Sequence, residues 1–258
     1  VSIISCRYQH VFPLLKKLDV YDSISLRILD SPSNEYEWIS FQKKVSSTIQ
    51  RTVFAWEDYE TSILASSFFE SSVHLPNALS LEIHKETKSN PREYVGVFWP
   101  IASNYSEDEV RKLLLGLQGF KVKIKIAERY KNLWREFNDR NGYIWIGDDI
   151  SDERLLKELA SIKVGILPHR GYFNRGSGYA SYFATNSVPF LTHPENSFYK
   201  NLAEYDEVIA LPHSSVELRE SVSRILENKL DDSIKKNYFS YSKRQWRKFL
   251  CSDAGNEC

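Results

Sequence analysis

Apolar and polar residues alternate in regular blocks along the second half of the chain. Short apolar runs, typical of buried strands, are followed by segments with apolar residues at helical spacing. The predicted strands are YVGVFW, KVKIKIA, YIWIG, KVGILP, VPFLTH and EVIALP, and the predicted helices are SEDEVRKLLLGLQ, SDERLLKELAS, GYASYFATN and SVELRESVSRILEN. Ser151 is predicted to cap the helix SDERLLKELAS. This alternation predicts a parallel sheet covered by helices on both faces.

The first 85 residues show the same alternation less regularly. The predicted strands are VSIISCR, ISLRILD, TVFAW and SVHLPNAL, and the predicted helices are VFPLLKKLD, EYEWISFQKKVSSTIQ and DYETSILASSFF. The polar segment at 82–93, EIHKETKSNPRE, has no apolar periodicity and is predicted to be a linker. We therefore expect two α/β units, at 1–85 and 86–233, and a C-terminal helix at 234–258.

Composition limits the class of protein. With 258 residues, 42% of them hydrophobic, the chain is long enough to bury one large core or two modest ones. Lysine plus arginine and aspartate plus glutamate both number 34, so no overall charge favours nucleic acid or an anionic membrane. No apolar run approaches the roughly 18 to 20 residues that span a bilayer. Cys6, Cys251 and Cys258 predict neither a disulfide framework nor a zinc site, and a cytoplasmic location is expected.

The loop after the KVGILP strand carries the candidate chemistry. Ligands of open parallel sheets bind beyond the carboxyl ends of the strands, and a helix beginning near Gly178 presents free N–H groups there. Gly176 and Gly178 allow close approach of the backbone, Ser177 can donate a hydrogen bond, and Arg170 or Arg175 can pair with phosphate oxygens. The loop therefore predicts a diphosphate site, and the alternative is an ordinary strand-to-helix turn with surface arginines.

His169 stands at the start of this loop, where it is predicted either to contact the phosphate or to serve a structural role. The chain has no GxGxxG after its first strand and no GxxxxGK[ST], which disfavours the NAD and ATP enzymes that use those motifs. Its six histidines are isolated from one another, so no metal centre is expected.

The segment YIWIGDDISDERLLKELASIKVGILPHRGYFNRGSGYASYFATNSVPFLTH resembles the donor-binding domain of group 1 GT-B glycosyltransferases. The corresponding pieces are a strand ending in glycine (WIG), a helix and strand ending in Pro-His, a glycine loop (NRGSG), a helix and a strand led by SVPFL. TVFAWEDYETSILASSFFESSVHLPNAL is similar to the end of the family's N-terminal domain. The resemblance covers roughly residues 20 to 250 and implies two Rossmann-like units, of which the N-terminal one is small or truncated.

The resemblance also implies site residues. In its retaining members two glutamates stand eight positions apart around the glycine loop, where this chain has Asn174 and Tyr182. Tyr182 would stack on or hydrogen-bond the ribose, and Tyr179 would contribute its backbone to the diphosphate site. The family's Arg and Lys after the first strand of this domain are missing, and Arg170 and Arg175 would supply that charge. The departures leave open a divergent subfamily, an inverting enzyme or a protein that no longer catalyses.

Two further segments have alternative interpretations. Glu195, in the loop after VPFLTH, either faces the donor sugar or ribose or lies in a solvated loop. The tail YFSYSKRQWRKFL is basic and aromatic, which fits a helix on a membrane surface. The resemblance instead implies the final helix that crosses back to the N-terminal unit.

Taken together, the resemblance implies a metal-independent glycosyltransferase without a cofactor. Its substrate would be a nucleotide sugar, with UDP or GDP as the nucleotide, and its acceptor a glycan, a lipid or another lipid-linked or glycoconjugate acceptor. The protein would act in the cytoplasm or at the inner face of the membrane. No catalytic residue is assigned, although Asp30 is a weak candidate base. The alternatives are a non-catalytic binding or assembly subunit and a nucleotide-sugar epimerase.

Overall fold

The computed structural model of the protein describes its secondary-structure elements and many of the turns that join them. The described residues are 3–6, 8–15, 24–28, 32, 34–46, 52–56, 59–70, 72–75, 92–98, 106–125, 132, 135, 143–147, 151–168, 178–196, 199, 202, 205–227 and 233–252.

The strands pair into two parallel sheets. The first sheet has the order β1-β2-β3-β4 and consists of Ile3–Cys6, Ile24–Ile28, Thr52–Trp56 and Ser72–His74. The second has the order β10-β9-β8-β5-β6-β7, and in chain order its strands β5 to β10 are Tyr94–Phe98, Val122–Lys125, Ile144–Trp145, Ile162–Leu167, Phe190–Thr192 and Val208–Ala210. The predicted α/β class with parallel sheets is confirmed.

The helices follow the predicted order, with bounds that differ by a few residues, and the first and last begin earlier than predicted. In chain order, α1 to α8 are Tyr8–Leu15, Glu35–Ser46, Tyr59–Ser66, Glu107–Gly116, Asp152–Ala160, Gly178–Thr185, Ser215–Glu227 and Ser233–Ser252. Ser151 caps α5 as predicted, since its hydroxyl accepts a hydrogen bond from the Arg154 N–H at 3.3 Å. Gly119 ends the turn after α4 with a φ of +91°, a conformation that glycine adopts without strain.

The chain divides into two compact units. The first consists of Val1–Leu79, Gly171–Gly178 and Asn237–Cys258, and the second of Ser80–Arg170 and Tyr179–Lys236. The predicted linker lies outside the described residues except for Arg92 and Glu93.

Each unit has its own apolar core. In the first, aromatic side chains of α2 and β3 pack together, with the Trp38 and Trp56 rings 5.1 Å apart. In the second, residues of the central strands, such as Val97 and Ile166, pack against α4 and α7. Leu114 is one of the α4 residues in this core.

The last helix contributes to the first unit. Phe249 of α8 is 4% exposed and packs against Ala55 and Leu75. A hydrogen bond of 2.6 Å joins His74 Nδ1 and the Tyr241 hydroxyl. Among the described helices, none combines the length and the apolar character that crossing a bilayer requires.

Cys251, near the end of α8, is disulfide-bonded. The expectation of no disulfide is therefore wrong for this residue. The expectation relied on the odd number of cysteines and on the lack of a CxxC pair, neither of which excludes a single disulfide.

Candidate functional site

The strand order of the second sheet reverses between two neighbouring strands, β5 and β8. From β5 the chain proceeds to β6 and β7 on one side, and from β8 it proceeds to β9 and β10 on the other. Val97 lies opposite Ile166, so the two strands end side by side at Phe98 and Leu167. Ligands of open α/β sheets bind at such a switch point.

The glycine loop connects this switch point to α6. His169, Arg170, Asn174, Arg175, Gly176 and Ser177 lie outside the described residues, so their roles stay predictions. The helix after the loop begins at Gly178, where the sequence predicts it. Its first turn therefore follows directly from the loop that begins at the end of β8.

Aromatic packing fixes α6 on the sheet. The half-buried Tyr179 ring lies 4.9 Å from the Phe98 ring, between centroids, at the end of β5. One turn later the fully buried Phe183 covers Gly165 of β8 so closely that a Cβ at Gly165 would lie 2.4 Å from the ring. Glycine is required at 165 for this approach, which holds the start of α6 next to the end of β5.

A basic residue ends the strand beside β5. Lys125 closes β6, pairs in register with Phe98 and is 8% exposed. Lys125 is not among the predicted site residues, because the family's basic residues follow β5 itself. The sequence carries no signal for its position, which depends on the pairing of β6 with β5.

Solved structures with the same fold are found at low sequence identity. HepE from Anabaena, solved in complex with UDP, matches 99% of this chain and 79% of its own with a TM-score of 0.70 and 10% identity. AviGT4, a glycosyltransferase involved in avilamycin A biosynthesis, matches 94% of this chain and 78% of its own with a TM-score of 0.58 and 11% identity. The Gap123 complex of glycosylation-associated protein from Streptococcus agalactiae matches 96% of this chain and 51% of its own, with a TM-score of 0.62 and 11% identity.

This chain has a GT-B-like fold. No protein-family model and no curated protein sequence matches it. At these identities the likeness establishes the fold alone.

Tyr182 occupies one of the two positions where the retaining GT-B enzymes have glutamate. Its side chain is buried, its ring packs edge-on against Phe183, and its hydroxyl has no hydrogen-bond partner among the described residues. Burial raises the pKa of the Tyr182 hydroxyl to about 12, and the Arg92 charge opposes this slightly. These surroundings are those of a core residue, and the predicted ribose contact stays a prediction.

Glu195 lies in the turn after β9. Its side chain is 73% exposed, and its carboxylate is 3.8 Å from His193 Nδ1. The Glu195 N–H also donates to His193 Nδ1 at 3.3 Å. The carboxylate is thus open to solvent at the carboxyl edge of the sheet, and its contact with a donor sugar stays a prediction.

The described residues contain no group of three or more histidine, cysteine, aspartate or glutamate side chains that could hold a metal ion. The phosphate-directed groups that the sequence predicts are instead backbone N–H groups and arginine side chains.

Proposed function

We propose that this chain is a glycosyltransferase whose nucleotide-sugar donor binds at the carboxyl ends of β5 and β8. The observation that carries the proposal is the start of α6 at Gly178, directly after the β8 loop and anchored beside β5 by Tyr179 and Phe98. A helix N-terminus at a switch point favours an anion through its free N–H groups and its dipole.

The diphosphate of the donor would lie on the backbone of Gly176 to Tyr179. Arg170 and Arg175 would form charge-assisted hydrogen bonds to its oxygens, which makes a metal ion unnecessary for binding. Transfer would follow when an acceptor hydroxyl attacks the anomeric carbon and the bond from that carbon to the diphosphate oxygen breaks. The nucleoside diphosphate would leave with the electron pair and take up the proton that the acceptor hydroxyl loses.

Two of the solved structures support a proposal of this kind. HepE was solved with UDP bound, and AviGT4 is a glycosyltransferase. We extend the proposal to UDP or GDP as the nucleotide and to a glycan or lipid-linked glycan as the acceptor in polysaccharide or glycoconjugate synthesis. The cytoplasm, at the inner face of the membrane, is the proposed place of the reaction.

A non-catalytic binding or assembly subunit is the second candidate. Asn174 and Tyr182 stand where retaining relatives have glutamates, and the Gap123 complex shares the fold. Such a protein would bind a nucleotide sugar or a partner glycosyltransferase without turning over the donor.

A panel of UDP-, GDP- and TDP-sugars separates the two candidates. We expect slow hydrolysis of one donor by the purified chain, and faster release of its nucleotide when an acceptor glycan is added. Turnover would exclude the non-catalytic subunit. Saturable binding of a donor without any turnover, with or without acceptor, would exclude the transferase.

The arginines provide a residue-level test of the donor site. Replacing Arg170 and Arg175 by alanine should weaken binding of the nucleoside diphosphate by roughly 10- to 100-fold in calorimetry, because each loses a charge-assisted hydrogen bond. Arg154→Ala on exposed α5 is the matched control and should bind like the parent. Unchanged affinity in the double variant would show that the two arginines do not contact the diphosphate.

A further inference from the structure

A second concave site lies in the same unit, beyond the carboxyl ends of β8, β9 and β10. It is a pocket of roughly 230 Å³. His193 follows β9 directly, and His213 follows β10 after two residues. The N-terminal parts of α4 and α7 form the opposite wall, where Lys112 and Ser215 line the pocket. Tyr179, Tyr182 and Glu195 do not line it.

Hydrogen bonds join α4 and α7, the two helices that contribute to the pocket. The Ser215 hydroxyl donates to the Lys112 carbonyl at 2.8 Å, and Arg219 Nη2 donates to the Leu115 carbonyl at 3.2 Å. At Gly116, a Cβ would lie 2.9 Å from Leu218 and from the Ser215 carbonyl oxygen. The two helices that contribute to the pocket therefore meet closely.

Three of the polar residues that line the pocket are basic. The pocket is lined by Lys112, His193 and His213, and the two imidazole rings lie 6.5 Å apart at 77°. The one carboxylate in the lining, that of Glu109, accepts hydrogen bonds from Ser106 N at 2.8 Å and from Ser106 Oγ at 3.0 Å. Glu109 thus completes the cap of α4, and its negative charge is partly compensated there.

His193 supplies a donor of defined tautomer. It is 9% exposed, and its Nδ1 accepts the Glu195 N–H at 3.3 Å. The neutral ring therefore carries its hydrogen on Nε2, as this hydrogen-bond geometry assigns it. The apolar lining around it, which includes Pro168, Leu113 and Leu211, lowers the local dielectric constant and strengthens interactions with an anion.

The size of the pocket limits its ligand. Pockets for drug-sized ligands have volumes of about 300 to 1,000 Å³, so this one fits a compact group and is too small for a whole nucleotide sugar. A phosphate group has several acceptor oxygens that an ammonium and two imidazoles can share.

We propose that Lys112, His193 and His213 form a phosphate-binding site separate from the donor site. The phosphate is either inorganic or carried by a small phosphorylated sugar. None of the three residues is among the predicted donor-site residues. Pro168 at the end of β8 lines the pocket and Glu195 donates a hydrogen bond to His193, so the competition with UDP described below decides whether the two sites are separate.

Titration of the full chain with inorganic phosphate, followed by ¹H–¹⁵N NMR of the histidine rings, tests the site. Ionic strength is held constant with sodium chloride, because screening alone changes surface electrostatics. We expect saturable shifts of the His193 and His213 ring signals. A second titration with a hexose phosphate identifies the source: tighter binding indicates a phosphorylated sugar, and equal binding indicates inorganic phosphate.

Matched variants locate the binding. Lys112→Ala and His213→Gln should each weaken phosphate binding roughly 10-fold or more, because each removes a donor from the phosphate. Lys157→Ala and His10→Gln change an exposed lysine of α5 and an exposed histidine of α1, and both should bind phosphate like the parent.

Three results would overturn the proposal. The first is the lack of a saturable shift with either ligand in the folded protein, and the second is parental affinity in both pocket variants. The third is displacement of phosphate by UDP, which would assign the phosphate to the donor site. If UDP fails to bind at all, the donor proposal fails and the phosphate titration still decides this one.

Discussion

At the residue scale, two buried tyrosines of the second unit have opposite surroundings. The Tyr143 hydroxyl donates a hydrogen bond to the Leu114 carbonyl at 3.0 Å. The Tyr182 hydroxyl is equally enclosed but has no partner among the described residues. A buried hydroxyl with a partner stabilises a fold modestly, whereas one without a partner costs free energy through lost hydration.

The two phenylalanine variants should therefore differ at neutral pH. Tyr143→Phe should lower the free energy of unfolding by about 1 kcal/mol, because it removes a hydrogen bond. Tyr182→Phe should leave it unchanged or raise it by up to about 1 kcal/mol, because it removes an unpartnered hydroxyl. Urea denaturation followed by circular dichroism measures both, and equal losses in the two variants would contradict the difference in hydrogen bonding.

The same tyrosines predict a loss of stability in alkali. Burial raises the pKa of both hydroxyls from 10 to about 12 in the folded chain, and the nearby Arg219 and Arg92 charges oppose the shift. Above about pH 10 the unfolded chain releases these protons while the folded chain keeps them, so the free energy of unfolding falls as the pH rises towards 12. Each phenylalanine variant should show a shallower fall than the parent in urea denaturation at pH 8 to 11; identical slopes would refute the assignment to these tyrosines.

Local rules predicted some single residues and missed others. Ser151 was identified as a helix cap because the capping partner, Arg154 N, is three residues away in the chain. His193 and His213 appeared isolated in the sequence, and their rings meet only because β9 and β10 are neighbours in the sheet. A histidine directly after β9 and another that lies three residues beyond the end of β10 were the local signals.

At the element scale, β6 shows what a sheet covered on both faces does to charged residues. Lys123 is 9% exposed, its Nζ lies 2.5 Å from Glu158 Oε2 and 2.9 Å from Ser161 Oγ, and it stands 4.4 Å above the Tyr94 ring. The alternating KVKIKIA pattern correctly predicted a strand. It could not reveal the partner of Lys123, because α5 supplies it from 35 residues further along the chain.

Removing that partner's charge should destabilise the second unit. Glu158→Gln leaves the largely buried Lys123 ammonium without a counter-charge, and we expect a loss of about 1 to 2 kcal/mol in the free energy of unfolding. Glu153→Gln breaks the Glu153–Lys157 pair, whose side chains are 73% and 69% exposed. This control should leave the denaturation midpoint unchanged, because exposed pairs contribute little. Equal midpoints for Glu158→Gln and the parent would show that the buried pair does not stabilise the unit.

At the scale of the whole molecule, α8 returns the end of the chain to the first unit. Phe249 packs on Ala55 and Leu75, while Arg247 and Lys248 beside it are exposed. The tail thus has a buried apolar side and a basic solvent side, and contact with a membrane surface stays a proposal for the basic side.

Phe249→Ala should destabilise the first unit by about 3 to 5 kcal/mol, because it leaves a cavity against β3 and β4. Hydrogen exchange of the β3 amides in the full chain measures this loss, and Lys248→Ala should leave the exchange unchanged. Parental exchange in Phe249→Ala, together with lost binding to anionic vesicles, would instead assign the tail to a membrane surface.

The fold was predictable from the sequence to a greater extent than the site. Block alternation is a periodic signal, so it predicted the strand and helix order of both units and the parallel sheets. The GT-B-like architecture followed from the resemblance of quoted segments to that family. The Cys251 disulfide depends on contacts that no periodicity records. The ligand of the glycine loop depends on the particular side chains at this edge of the sheet. Proteins that share a fold can differ in those side chains, so the fold does not identify the ligand.

Isothermal titration calorimetry with UDP and GDP tests the central claim most directly. We predict saturable binding of at least one of them to the parent chain, weakened about 10-fold or more in Gly178→Val, because the added side chain blocks the diphosphate from the start of α6. Circular dichroism checks that the variant is folded, and Gly147→Val, where an added Cβ meets open space, should bind like the parent. A folded parent that binds neither nucleotide, or a folded Gly178→Val variant with parental affinity, would contradict the proposed donor site.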